Sequence, residues 1–112
     1  MKNLPYVFIT SKLPYTKTND AAKIYIASIK EYRSAIKGLA KELISNAIKA
    51  RKECIEATGV YDVEESNLAK FLQIQQKYMT KYHNLGDGYG YDIEVRFKVT
   101  EALEMIGFKM PE

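Results

Sequence analysis

The feature that most constrains the fold is a long run of apolar residues at three- and four-residue spacing over residues 20–58. This spacing places apolar side chains on one face of an α-helix. Thr18 supplies an oxygen that can cap the helix start, Gly38 would mark a kink or a close approach, and Gly59 is well placed to end it. The pattern predicts one long helix over residues 20–58. The apolar stripe consists of Ala22, Ile26, Ile29, Ile36, Ala40, Leu43, Ala47, Ala50 and Cys54.

Two more helices are expected downstream. Residues 62–83 open with carboxylates suited to a first helical turn and continue with apolar residues at helical spacing, broken only by Gln75. The short link before them predicts that this helix folds back antiparallel to the first as a helical hairpin. Residues 93–106 fit a third helix by their apolar stripe. The alternative is a strand over residues 93–99, which alternate strictly, followed by a helix from Thr100.

The remaining segments are expected to lack helix. Pro5 and Pro14 disfavour helix in residues 1–18, which predicts an extended N-terminal arm in which residues 6–10 could form a short strand. Three glycines within residues 84–91 predict a Gly- and Tyr-rich loop. The predicted fold class is therefore all-α, with at most a minor N-terminal β-strand.

Length and composition limit the class of protein. A chain of 112 residues with 46% hydrophobic and 28% charged residues is expected to form a single helical domain spanning 1–112. No apolar run approaches the roughly 20 residues that a membrane helix needs, so no membrane partner is expected and the cytoplasm is the expected location. The net charge of +3 combines a basic first half with an acidic second half. That asymmetry predicts either attraction between the halves, within or between subunits, or an anionic partner.

The residues that usually perform catalysis are few. His83 is the only histidine and Cys54 the only cysteine, so the chain offers neither a histidine pair for a metal nor an internal disulfide. Neither residue has a neighbour in the sequence that would indicate a nucleophile–base pair. We expect no metal, no cofactor and no enzymatic activity.

A basic ridge on the first predicted helix indicates one kind of partner. Lysines repeat every seven residues there, and tyrosines lie close by. Positive side chains neutralise phosphates and aromatic rings stack on bases, so this surface could bind nucleic acid or a phosphorylated nucleotide. The alternative is an ordinary solvated helix face. The candidate residues are Lys23, Lys30, Arg33, Lys37, Lys41, Tyr25 and Tyr32.

Tyrosine is unusually common, with nine tyrosines, four phenylalanines and no tryptophan. Tyrosine is favoured at binding surfaces because it is large, rigid and amphipathic. The tyrosines of the arm and the glycine loop are therefore candidate contacts for a protein partner. The expected function is a non-enzymatic helical interaction module, oligomeric, that binds and regulates or inhibits a protein partner. The candidate contact residues are Tyr6, Tyr15, Tyr82, Tyr89 and Tyr91.

Overall fold

The computed structural model describes residues 4–111, which form four β-strands and three α-helices in an α/β arrangement. Single turns of 3-10 helix precede α1 and α2 and follow α2. The elements in chain order are β1 (Tyr6–Pro14), α1 (Thr18–Ile36), β2 (Ala40–Ala50), β3 (Cys54–Val63), α2 (Leu68–Thr80), β4 (Gly90–Arg96) and α3 (Val99–Met105).

The strands form one antiparallel sheet in the spatial order β2-β3-β1-β4. The first six elements follow the order β-α-β-β-α-β, and together with this strand order they define the ferredoxin-like split βαβ arrangement. The two inner strands, β3 and β1, are distant in sequence, since Tyr6 lies opposite Asp62. β2 and β4 form the two edges, and α3 is an addition at the C-terminal end.

The core lies between one face of the sheet and the helices α1 and α2. Strand residues alternate between the two faces of a sheet, and Val7 and Ile9 of β1 point into this core. Tyr61 of β3, Tyr32 of α1 and Phe71 of α2 complete its centre. Both helices therefore cover the same face, and the other face carries the alternate strand residues.

The prediction of an all-α protein is wrong, and the largest error falls in the predicted helix 20–58. The helix ends at Ile36, and Gly38 then turns the chain with a φ of 84° before β2 and β3 form a long hairpin. Alanine, lysine and leucine in β2 favour helix, but pairing with β3 outweighs that local preference. Gly59, expected to end the helix, lies within β3 opposite Ile9.

The predicted helical hairpin is also wrong. Of the residues 62–83 assigned to its second helix, the first two belong to β3, and α2 spans only Leu68–Thr80. The predicted third helix, 93–106, divides into β4 and α3 around Lys98, whose extended backbone separates them. The alternative of a strand followed by a helix from Thr100 lies nearer to these bounds.

The segment expected to be an extended arm over residues 1–18 contributes an inner strand of the sheet instead. β1 runs from Tyr6 to Pro14 and pairs with β3 on one side and β4 on the other, well beyond the short strand considered at residues 6–10. Residues 1–3 of that segment lie outside the described residues. Among residues 4–111, none of the helices has the length and apolar character that crossing a membrane requires.

Candidate functional site

A cavity of about 460 Å³ lies between the first half of α1, the end of α2 and the β2–β3 hairpin; we call it the α1–hairpin cavity. Its floor is the helix-covered face of the sheet and its roof is α1. Tyr78 and Met79 of α2, Tyr82 just after that helix and Tyr89 from the loop before β4 close one end. The other lining residues are Ser11, Leu13, Thr18, Ala21, Ala22, Tyr25, Ile26, Ser45, Asn46, Ile48, Ile55 and Ala57.

Small side chains on opposing elements leave this space open. Ala21 and Ala22 of α1 face Ala57 of β3 and Ser11 of β1 across the cavity, where larger residues would have met and filled it. None of the lining residues within the described part of the chain carries a charge. The polar groups are hydroxyls and one amide, that of Asn46. The cavity is therefore apolar with a few neutral hydrogen-bonding groups.

Stacked tyrosines build the closed end of the cavity. The rings of Tyr82 and Tyr89 stack with centroids 5.8 Å apart, and the hydroxyls of Tyr78 and Tyr82 are hydrogen-bonded at 2.8 Å. The Tyr89 hydroxyl donates to the backbone carbonyl of Met79 at 2.9 Å. These contacts fix the rings, so the wall is rigid.

A chain of hydrogen bonds crosses the core beside the cavity. The side-chain amide of Gln75 donates to the Tyr32 hydroxyl, which donates to the Tyr61 hydroxyl at 3.1 Å. Tyr61 in turn donates to a carboxylate oxygen of Glu42 at 3.1 Å. Gln75 is fully buried, and its carbonyl oxygen has no hydrogen-bond partner among the described residues. The chain connects α2 through α1 and β3 to the exposed edge strand β2.

Burial controls the protonation of these tyrosines. Five tyrosines of the hydrogen-bond chain and of the closed end of the cavity are desolvated. Desolvation raises the pKa of each above its ordinary value of 10.0, because a phenolate there would lose its hydration. The nearby Glu42 carboxylate raises the pKa of Tyr61 further. All five therefore stay neutral and act as hydroxyl donors near neutral pH. They are Tyr32, Tyr61, Tyr78, Tyr82 and Tyr89.

The outer edge of β2 forms a second exposed feature, which we call the β2 edge. β2 pairs with β3 on one side, and no other described strand lies on its outer side. Every residue from 41 to 50 is exposed, including Leu43 at 40% and Ile44 at 46%. The pairing with β3 shifts register on either side of Ile44, and Asn46 has a φ of 47°. The edge is therefore long, apolar in part and bulged.

The structure keeps part of the predicted basic ridge together and separates the rest. Lys23, Lys30, Arg33 and Lys37 are exposed on α1 or directly after its last residue. Lys41 lies on β2, a different element. Of the two candidate tyrosines, Tyr25 is half-buried and lines the cavity, whereas Tyr32 is buried in the core and bonded to Tyr61.

The five tyrosines proposed as partner contacts fall into three places. Tyr82, Tyr89 and Tyr91 form one aromatic cluster, in which Tyr91 stacks on His83 at 6.4 Å. Tyr15 is exposed, and its hydroxyl donates to the backbone carbonyl of Arg51 at the hairpin turn. Tyr6 lies at the other end of β1, beneath the ammonium of Lys98.

The residues considered for catalysis do not converge. Cys54 is a half-buried free thiol at the start of β3, and His83 is exposed beside Tyr89 and Tyr91. Within residues 4–111, no group of three or more His, Cys, Asp or Glu side chains could hold a metal ion.

Comparison with known proteins identifies the fold but no family. No protein-family model matches the chain, and no curated protein sequence matches it. The structure resembles a de novo designed protein, Foldit4, with a TM-score of 0.55 and 9% identity, over 85% of this chain and 98% of the design. It also matches a tripeptidase from Staphylococcus aureus subsp. aureus mu50, with a TM-score of 0.48 and 10% identity, over 95% of this chain and 36% of the tripeptidase. The design shares the fold alone.

Proposed function

We propose that the protein is a non-enzymatic interaction module that binds an extended segment of a protein partner along the β2 edge. The observation that carries the proposal is the continuous exposure of residues 41–50 on a terminal strand of the sheet. An edge strand presents unpaired backbone N–H and C=O groups, and an added strand satisfies them. Leu43 and Ile44 supply apolar contacts for alternate side chains of that segment.

The charge of the hairpin favours an acidic partner. Around β2 and its turn, Lys41, Lys49, Arg51 and Lys52 outnumber Glu42 and Glu53. Of the four basic residues, Arg51 is already paired with Glu56 at 2.8 Å. We therefore expect a partner segment that alternates apolar residues with Asp or Glu, since opposite charges across strands stabilise pairing.

The bulges in β2 favour a specific partner. A bulge increases the local twist of a strand, so a flat strand cannot pair along the whole edge. Natural proteins use this device against indiscriminate edge pairing. A partner segment must follow the irregular backbone near Asn46. This module would regulate or inhibit the partner by occupying that segment, and the cytoplasm stays its expected location.

Selection from a displayed library of random ten-residue peptides tests the proposal. We expect enriched peptides to combine acidic and apolar residues and to slow amide hydrogen exchange in residues 41–50 on binding. The variant Leu43→Lys/Ile44→Lys should lose at least tenfold in affinity, because lysine side chains on an edge strand disfavour the addition of another strand. The matched control Met105→Lys/Ile106→Lys alters the last residue of α3 and the residue after it, which are 61% and 69% exposed, and should bind as the wild type does.

Two results would count against a partner strand on β2. Enriched peptides that leave residues 41–50 unprotected would place the interaction elsewhere. Light scattering that shows a concentration-dependent dimer, lost in Leu43→Lys/Ile44→Lys, would assign the edge to a second copy of this chain, the homo-oligomer expected from the sequence.

A second candidate function is binding of nucleic acid or a phosphorylated nucleotide by α1. The observation that favours it is the shared exposure of Lys23 and Lys30 on α1 and of Lys37 directly after it. Fluorescence anisotropy with a labelled single strand should then show affinity that falls steeply with salt, and a large loss in Lys30→Glu/Lys37→Glu. The matched control is Lys70→Glu/Lys77→Glu, two exposed lysines at the same spacing on α2. Equal losses in both variants would indicate a non-specific charge effect.

A further inference from the structure

The α1–hairpin cavity opens to solvent along one side, so it is a surface pocket rather than an enclosed void. At about 30 Å³ per water, a cavity of about 460 Å³ has room for on the order of 15 waters. Each ordered water needs two to four polar partners, and this lining offers few of them. The volume lies within the range of ligand pockets, about 300–1,000 Å³.

The lining defines the chemistry of a ligand. Ile26 and Ile48 stand on opposite sides of the opening, and Leu13 and Ile55 form part of the floor. With no charged lining residue among those described, a charged ligand would lose its hydration without gaining an ion pair. Neutral hydroxyls and the Asn46 amide can bond to a hydroxyl or carbonyl group. The stacked rings at the closed end favour contact with a flat or aromatic portion.

We propose that the α1–hairpin cavity binds an uncharged, largely apolar small molecule that carries one or a few hydroxyl or carbonyl groups. The site adjoins the β2 edge and shares Ser45, Asn46 and Ile48 with it, whereas Leu43 and Ile44 are not among its lining residues.

Fluorescence titration with the uncharged probe N-phenyl-1-naphthylamine tests the site. We expect saturable binding with one probe per chain and a Kd that changes less than twofold between low and high salt. Ala22→Trp should weaken binding at least tenfold, because Ala22 lies at the roof and the larger ring fills the space. Since Ala22 is exposed, the change does not disturb the core. Ala27→Trp, at another exposed position on α1 outside the lining, should bind as the wild type does.

Methyl NMR on methionine-labelled protein locates the probe independently of these variants. Met79 lines the cavity, whereas Met105 and Met110 lie on or after α3. We expect the Met79 methyl signal to shift on saturation and the other two to stay in place. Binding that affects all three equally, that persists in Ala22→Trp, or that is absent from the wild type overturns the proposal. Neither Ala22 nor Met79 lies on the β2 edge, so these results do not measure peptide binding there and the two proposals fail separately.

Discussion

The Tyr32 hydroxyl donates a hydrogen bond to the Tyr61 hydroxyl at 3.1 Å, which joins α1 to β3 inside the core. Both side chains are less than a tenth exposed, so each hydroxyl depends on protein partners. Gln75 donates on one side and Glu42 accepts on the other, which makes the four residues one directional chain. Removing the Tyr32 hydroxyl therefore leaves the fully buried Gln75 amide without its acceptor.

Tyr32→Phe should destabilise the protein by about 1–3 kcal/mol, because it leaves the buried Gln75 amide without its acceptor. Tyr32→Phe/Gln75→Leu should recover part of that loss, since replacing both partners with apolar groups removes the unpaired donor. Urea denaturation monitored by circular dichroism measures the free energies of unfolding. Tyr15→Phe, at an exposed hydroxyl, is the control and should change stability by less than about 0.5 kcal/mol. Additive losses in the double variant would show that the two residues are not coupled.

Alkaline pH should destabilise the protein through its buried tyrosines. Their pKa values lie above 10.0 in the folded state and return to about 10 on unfolding. Above pH 10 the unfolded chain releases protons that the folded chain retains, so the free energy of unfolding falls as pH rises. Each such tyrosine contributes up to about 1.4 kcal/mol per pH unit.

Urea denaturation at pH 8, 10 and 11 measures this dependence. Below pH 9 these tyrosines should not change the free energy of unfolding, because the folded and unfolded chains both keep their phenol protons. Tyr82→Phe should make the free energy of unfolding fall less steeply with pH above pH 10. The reason is that the folded and unfolded chains then differ by one bound proton fewer. An unchanged slope in that variant would mean that Tyr82 ionises in the folded protein as readily as in the unfolded one.

Local periodicity located the helical parts of the chain better than the strands. Thr18–Ile36 and Leu68–Thr80 are helices, and their apolar spacing reflects one buried face. The sequence predicts helix over residues 40–58, because the alanine, isoleucine and leucine residues there also fit a helical stripe. β3 gains its stability from pairing with β1, about fifty residues earlier in the chain, as in the Tyr6–Asp62 pair. A window of local sequence does not contain that partner.

The candidate site was only partly visible in the sequence. Gln75 is the one polar residue among the apolar residues that repeat at helical spacing in the second predicted helix. That position was the sequence feature from which a buried hydrogen bond could have been inferred. The cavity depends on Ala21, Ser11 and Ala57 lying opposite one another, and these residues belong to three elements. Their juxtaposition follows from the strand order, which the sequence did not indicate.

Glu101 should control the order of α3. Its two carboxylate oxygens accept hydrogen bonds from the backbone N–H groups of Leu4 at 2.6 Å and Lys98 at 2.9 Å. Leu4 lies just before β1 and Lys98 just before α3, so Glu101 attaches α3 to β1 and caps the start of its own helix. The rest of α3 offers little burial, with Val99 and Met105 more than 60% exposed. Glu101→Ala should cost about 0.5–2 kcal/mol, the usual value of a helix cap.

Hydrogen–deuterium exchange measures the effect where it should occur. In Glu101→Ala the amides of residues 101–106 should exchange faster, while those of β1 and β3 stay protected. Glu104→Ala is the matched control, because Glu104 is an exposed glutamate on the same helix. If both variants exchange alike, the paired contacts of Glu101 do not hold α3 in place.

Gly38 should decide where α1 ends and the hairpin begins. Its φ of 84° is a conformation that L residues with a Cβ rarely adopt, whereas a Cβ added there would meet no atom within 4 Å. Gly38→Ala should therefore destabilise by about 1–2 kcal/mol through backbone strain alone. Gly90→Ala is the matched control, since that position is equally open and lacks a positive φ. It should leave the midpoint of thermal unfolding unchanged or raise it, because alanine reduces the freedom of the unfolded chain. Equal midpoints for the two variants would mean that residues 37–39 do not hold the left-handed turn, and that α1 is free to extend toward β2.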